Sequence, residues 1–340
     1  MKIQFNKKMK KKILIRVCIA AGCILLTANC FSQDYRFSQY YENPLRLNPA
    51  MMGANSDMKF MLGYRSQWSN IEKGFTTMSF TALFPVFLDN GGKLDIGVNA
   101  INDKAGAFKT TDAALAIDYN MEIAADQNLC LSLLAGYTQK SLDVSNLTFD
   151  NQYVLGSYQS SNPSNESVLN KEVSYADAGC GLVWYMNPAR DKSKLNAFLG
   201  VSGYHLNKPN QSFTGKEAAL PIRVTYIGGI KIMGEKKIDV APNIRMTQQN
   251  ANTEMSAGVS VDYSVSDAAK LVIGASYRRS DAVAFLVGME FNKFTFAYSY
   301  DAVTSTLNNV SANALAHEIT LALKFHKGPD AVKPNPFRTF

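Results

Sequence analysis

Several things are scarce in this chain of 340 residues, and each scarcity closes a route. It has three histidines, His205, His317 and His326, and none shares metal-ligand spacing with another histidine or with a cysteine. Of the five cysteines, Cys18, Cys23 and Cys30 fall in the first 32 residues, leaving Cys130 and Cys180 downstream. Flanking alternation puts Cys130 on a polar face and Cys180 on an apolar one, so the two would point to opposite sides of one wall and could not bridge. No disulfide framework and no zinc spacing is present. Surplus charge is also missing once the N-terminus is set aside. Lys2, Lys7, Lys8, Lys10, Lys11, Lys12 and Arg16 account for the whole formal net charge of +7, and residues 1–32 hold no acid. The pI of 9.0 is therefore no nucleic-acid footprint. After Val17–Leu26 there is no apolar run of the ~20 residues a membrane helix needs.

The N-terminus itself is ordered as basic, apolar, then small residues. That is the pattern of a secretory signal peptide over 1–32, with cleavage between Ser32 and Gln33.

What the chain has in abundance is two-residue alternation. Along Val283–Asp301 one face carries Val283, Phe285, Val287, Met289 and Phe291, then Phe294, Phe296, Tyr298 and Tyr300. The other carries Ala284, Leu286, Gly288 and Glu290, then Thr295, Ala297, Ser299 and Asp301. A hairpin turning at Asn292 and Lys293 pairs Phe291 with Phe294 and puts both apolar rows on one side. In a soluble sandwich the inward face should hold the bulk. A bulky aromatic face opposite a small, partly charged one suits a wall between lipid and a wet lumen.

The same pattern recurs in fourteen segments, 57–68, 74–84, 93–102, 108–123, 127–140, 173–187, 195–206, 222–233, 238–248, 254–265, 270–279, 282–291, 294–301 and 314–325. Most approach the ~10 residues a tilted strand needs to cross a bilayer. Without long apolar helices, spanning requires a closed barrel. The expected fold is all-β, an antiparallel transmembrane outer-membrane β-barrel of 14 strands over 57–325, with 12 and 16 as the neighbouring counts. Connectors agree: the even ones are mostly short (124–126, 234–237, 267–269, 292–293), whereas the odd ones include the long polar 141–172, 207–221 and 302–313. Short periplasmic turns and longer external loops are the asymmetry of such barrels. Residues 326–340, with Pro329, Pro334 and Pro336, read as a loose periplasmic tail.

No catalytic constellation stands out. Ser202 in Gly200–Gly203 lacks the last glycine of a nucleophile elbow. The acids Asp95, Asp118, Glu122, Asp262 and Glu290 share the polar parity, and polar lumen residues need no catalytic explanation. No enzyme and no cofactor is expected.

The segment 33–56 is different. Asn43-Pro44 and Asn48-Pro49 fix two turns. With Phe37, Tyr40, Tyr41, Leu45 and Leu47 it is too apolar for a linker and too broken for a strand or helix. It must rest on something: the periplasmic mouth of the barrel, its lumen, or a periplasmic partner. Its sequence, Gln33-Asp34-Tyr35-Arg36-Phe37-Ser38-Gln39-Tyr40-Tyr41-Glu42-Asn43-Pro44-Leu45-Arg46-Leu47-Asn48-Pro49-Ala50, resembles the opening signature of the PorP/SprF family, QDpxFSQYxxNPLxLNPA. Tyr64-Arg65-Ser66-Gln67-Trp68 is similar to that family's YRxQW element, Asn102–Gly106 to its NDxxG loop, and Gly200–Leu206 to its GxSxxHL strand. Tyr35 stands where proline is usual.

The resemblance implies a non-catalytic outer-membrane component of the Bacteroidetes type IX secretion and gliding machinery. The implied partners are outer-membrane lipid, periplasmic machinery including an OmpA-like peptidoglycan-binding protein, and secreted cargo such as adhesins with a type IX C-terminal domain. Docking residues implied by the motifs are Phe37, Gln39, Tyr40, Asn43, Pro44, Asn48, Pro49, Tyr64, Arg65, Gln67 and Trp68. The rival readings are a passive pore or small-solute transporter, and a plain anchor to peptidoglycan.

Overall fold

The computed structural model describes residues 34–68, 74–89, 92–144, 147–154, 157–163, 171–188, 193–234, 237–305 and 315–326. The signal segment with Ser32 and Gln33, and the tail beyond His326, lie outside the described residues. The chain divides into two units, Met1–Asp34 and Tyr35–Phe340, and the architecture below belongs to the second.

The strands are β1 (Asp57–Gln67), β2 (Phe75–Phe87), β3 (Lys93–Ala105), β4 (Phe108–Ala124), β5 (Gln127–Leu142), β6 (Tyr153–Val154), β7 (Ser157–Tyr158), β8 (Glu172–Met186), β9 (Leu195–Tyr204), β10 (Arg223–Met233), β11 (Ile238–Gln249), β12 (Asn252–Ser264), β13 (Ala269–Arg278), β14 (Ala282–Phe291), β15 (Phe294–Val303) and β16 (Leu315–His326). Fourteen of them close into one antiparallel barrel in chain order, β1 meeting β16. That seam pairs Tyr64 with Ile319 and Arg65 with Glu318. Closure leaves no open sheet edge, so the wall satisfies its own backbone in lipid. Among the described residues no helix is long and apolar enough to cross a membrane.

Every expected barrel strand is present, with ends shifted by three residues or fewer. What alternation could not reveal is the β6–β7 ribbon inside the loop after β5, too short to show a period, where the Tyr153 and Tyr158 rings stand 5.7 Å apart. The hairpin of β14 and β15 pairs Phe291 with Phe294. Asn292 there takes φ +52°, a left-handed conformation that asparagine tolerates and a two-residue turn requires.

Alternation sorts the side chains as the period of two demands. On β4, Asp112, Ala114, Ala116, Asp118 and Asn120 are buried inward while Leu115 and Ile117 are exposed outward. Leu133, Ile273, Phe285 and Phe294 are more than half exposed, which is sensible only for a surface bathed in lipid. Cys130 is buried on the inward side, Cys180 lies on the outward parity, and both thiols are free. Asp95, Asp118 and Asp262 are buried inward as expected. Glu122 sits exposed beside the 125–126 turn, where it accepts the Asp126 N–H at 3.3 Å.

One end of the barrel, the turn end, carries the connectors 88–92, 125–126, 187–194, 234–237, 265–268 and 292–293. The other, the loop end, carries 143–171, 205–222 and 304–314 together with shorter links.

Candidate functional site: a folded segment inside the lumen

The residues between Tyr35 and β1 are not a strap across a mouth; they fill the lumen. They fold into three short helical pieces, the single turns Tyr40–Glu42 and Pro44–Leu47 and the two-turn 3-10 helix Pro49–Ala54. The sequence reading of a segment too broken for a helix is corrected here. Pro44 and Pro49 each begin a turn, where proline lacks nothing because the first N–H of a helix has no intrahelical partner. Asn48 caps the third turn by accepting the Ala50 N–H at 3.0 Å.

The partners start at the loop end, descend to Lys59, return to the loop-end residues Tyr204 and Arg223 at Leu45 and Arg46, and finish at the turn end. Arg36 lies highest, paired with Glu254 at 3.0 Å and Asp281 at 3.6 Å, near the 250–251 and 279–281 links. Next comes an ionic knot. Glu318 receives the backbone N–H of Ser38 on Oε2 at 2.7 Å and that of Gln39 on Oε1 at 3.0 Å. Ser38 Oγ donates to Asp301 at 2.6 Å. Arg65 bridges both acids, donating to Glu318 at 3.0 Å and Asp301 at 2.8 Å, and Arg278 reaches Asp301 at 3.1 Å. Arg65, Asp301 and Glu318 are all nearly inaccessible, so each charge is answered only by its neighbours.

At mid-height Tyr40 donates to Asn243 Oδ1 at 2.7 Å, and the Arg245 guanidinium stands 4.4 Å over the Tyr40 ring. Burial pushes the Tyr40 and Tyr41 phenols above their ordinary range, which keeps Tyr40 a donor. Lys59 holds Glu42 at 2.7 Å. Asn43 Oδ1 accepts from Asn99 at 3.1 Å, and Arg46 pairs with Asp112 while donating to Asn99 at 3.0 Å. Three successive backbone carbonyls are taken by β9 and β10: Leu45 by Tyr204 at 2.8 Å, Arg46 by Arg223 at 3.2 Å, and Leu47 by Ser202 at 2.8 Å.

Asn48 lies flat on the wall, its Nδ2 donating to the carbonyls of Leu182 at 3.2 Å and Val201 at 3.1 Å. Glycine at 181 makes this possible, since a Cβ there would stand 2.2 Å from Asn48 Oδ1. Near the turn end Asn120 donates to Gly53 O at 2.6 Å and Lys93 donates to Asn55 O. Tyr40, Leu47, Ala50, Met51 and Ala54 close an apolar core with Cys130, Val183, Tyr185, Phe198 and Ile227. The lumen thus has its own packed interior, crossed by hydrogen bonds to nearly every side of the wall.

The expected motif residues divide accordingly. Phe37, Gln39, Tyr40, Asn43, Pro44, Asn48 and Pro49 are buried together inside the barrel, and Arg65 joins them. Tyr64 faces outward, 42 % exposed, and takes no part. Gln67 ends β1, and Trp68 beyond it turns with φ +57°, its ring 4.8 Å from Phe75 and its backbone N–H donating to Leu315 O at 2.9 Å. Sequence reasoning passed over Glu318, Asp301, Arg278, Arg46 and Asp112. The four on strands were marked only by a charge on an inward position, which says where a side chain points and not what it meets, and Arg46 only by its place in the N-terminal signature. His205 pairs with Asp177 at 3.0 Å and His317 with the Tyr298 hydroxyl at 2.8 Å, structural contacts at the loop end.

A family model described as the type IX secretion system membrane protein PorP/SprF matches residues 29–323. No curated protein matches the chain in sequence. Among solved structures, a FadL homologue of Pseudomonas aeruginosa is 9% identical with a TM-score of 0.53, covering 82% of this chain and 92% of its own. The toluene transporter TodX of Pseudomonas putida is 11% identical with a TM-score of 0.50, covering 86% and 94%. Identities this low speak for the fold alone. Family and fold together make this an outer-membrane β-barrel of a structural or transport-related kind. The chain belongs to the PorP/SprF family of type IX secretion system membrane proteins.

Proposed function

We propose that the protein is a non-catalytic docking component of type IX secretion, holding cargo and machinery at the outer membrane without conducting either through its own lumen. The observation that carries this is the lumen itself, occupied from Arg36 to Asn55 by a segment tied to the wall at both ends. A barrel so filled works through its outer surfaces. The long loops 143–171 and 205–222 receive secreted proteins such as adhesins through their type IX C-terminal domain, and the turn end grips periplasmic machinery, including an OmpA-like peptidoglycan-binding protein. Loop 143–171 offers exposed Tyr153, Val154 and Tyr158, rigid aromatic area of the kind that anchors protein contacts. The docking role of the N-terminal motif becomes indirect: its residues shape and seal the barrel that presents these surfaces.

A photo-crosslinker at Tyr153 or Tyr158 is expected to capture secreted cargo in living cells, and one at Asp267 a periplasmic component. Adducts with lipopolysaccharide alone from the loop positions would sink the reading. Orientation has its own check. With the long loops outward, Arg36→Cys reacts with a membrane-impermeant maleimide on intact cells; labelling only after permeabilisation would reverse the assignment.

A further inference from the structure

At the turn end of the lumen, β3 and β4 carry Lys93, Asp95, Asp118 and Asn120 on inward positions, each less than 9 % exposed. Asp95 and Asp118 are register partners across the two strands, as are Lys93 and Asn120. Residues so placed hold their Cβ atoms ~4.5–5.5 Å apart. Lys93 Nζ pairs with Asp95 at 3.0 Å and also donates to Asn55 O. Asp118 is fully inaccessible, and neither of its oxygens has a hydrogen-bond partner.

Asn120 supplies an independent sign. Its Nδ2 donates to Gly53 O at 2.6 Å and to the Tyr185 hydroxyl at 2.8 Å, toward the β8 side. Its Oδ1 is buried and without a donor, on the same inward face of β4 as Asp118 two residues away. Ser132, the register partner of Asp118 on β5, directs its hydroxyl to Gly181 O on β8 at 3.5 Å and leaves Asp118 unanswered. The luminal segment closes the site from above: a Cβ on Gly53 would stand 2.3 Å from Asp118 Oδ2, so only glycine lets the backbone come this close.

The charges do not balance. Two carboxylates face one ammonium, and a buried carboxylate without compensation is strongly unfavourable. The oxygen donors are hard, the set suited to group 1 and group 2 cations, and the Cys130 thiol lies beside them under Gly53. Lys93 already answers one of the two carboxylates, so the net charge of the site calls for one positive unit and not two. One further unit of positive charge brings the site to neutrality. We propose that Asp118, Asp95 and Asn120 bind a monovalent alkali cation, sodium or potassium, beneath Gly53. The ion is sequestered only while the luminal segment is seated, so occupancy and seating reinforce each other.

The test uses the purified full-length protein in detergent micelles. Its thermal midpoint is measured in sodium, potassium and choline chloride at one ionic strength, and across a sodium titration with choline making up the balance. A midpoint higher by ~2–4 °C in sodium or potassium than in choline is expected, with Asp118→Asn abolishing the difference. Equal midpoints in the three salts overturn the proposal, and so does a sodium effect that survives in Asp118→Asn. A midpoint that follows pH but ignores sodium assigns the missing charge to a proton, and a larger rise in calcium assigns it to a divalent ion; either result also overturns it. The salt titration on the unmodified protein decides the matter even if the variant fails to fold.

Discussion

Deleting residues 37–48 should convert a barrel that is silent in a planar bilayer into one with sustained open channels. The wall has fourteen strands, between the eight whose interior side chains can fill and the sixteen to eighteen of porins that leave an aqueous channel. Its backbone is satisfied strand to strand without the luminal segment, so the barrel should remain inserted and resistant to unfolding in detergent. Lost with the deletion are the Ser38 and Gln39 amides on Glu318, the Tyr40 contacts with Asn243 and Arg245, and the Leu45, Arg46 and Leu47 carbonyls held by Tyr204, Arg223 and Ser202. The charges these contacts covered would meet water, which hydrates them. Conductance recorded from reconstituted protein measures the effect directly. An inserted deletion variant that stays silent would show that the loops close the lumen, and the segment would lose its role as the seal.

Arg65→Met should be the most damaging single substitution in the lumen, lowering stability by about 3–5 kcal/mol, the range found when one partner of a buried ion pair is removed. Arg65 is the only cation paired with Glu318 among the described contacts, whereas Asp301 keeps Arg278. Glu318 would remain buried against two backbone amides with its charge unanswered. The double variant Arg65→Met with Glu318→Gln should recover much of the loss, because it removes charge from both sides. Denaturant midpoints of the two single variants and the double complete the cycle. A loss below about 1 kcal/mol for Arg65→Met would mean the knot is wetter than its burial implies.

Much of the fold was legible because a strand's side chains alternate with a period of two, and that period survives in sequence without knowledge of neighbours. Val283–Asp301 disclosed a lipid face and a lumen face, and β14 and β15 have both. The strand count followed from repeating that test. The luminal segment was legible only by its mismatch: Phe37, Tyr40, Leu45 and Leu47 called for a packing surface, and Pro44 and Pro49 ruled out a long regular element. Its location was not legible, because the groups that hold it are remote. Ser38 and Glu318 are 280 residues apart, and nothing local to either names the other. The YRxQW element shows the same limit. Five adjacent residues suggest one role, yet Arg65 points into the knot while Tyr64 points into lipid, since neighbours on a strand face opposite ways.

The span between Ser38 and Glu318 also bears on how the molecule is made. Glu318 lies on β16, the strand that closes the seam with β1, so the first turn of the segment has its acidic partner only when the last strand arrives. Such a contact carries the highest loop-closure cost in the chain and forms late. Because the segment runs directly into β1, it must already lie inside the curling sheet when the seam zips. The barrel is assembled around its own beginning, and its last strand locks in place the residues that precede its first.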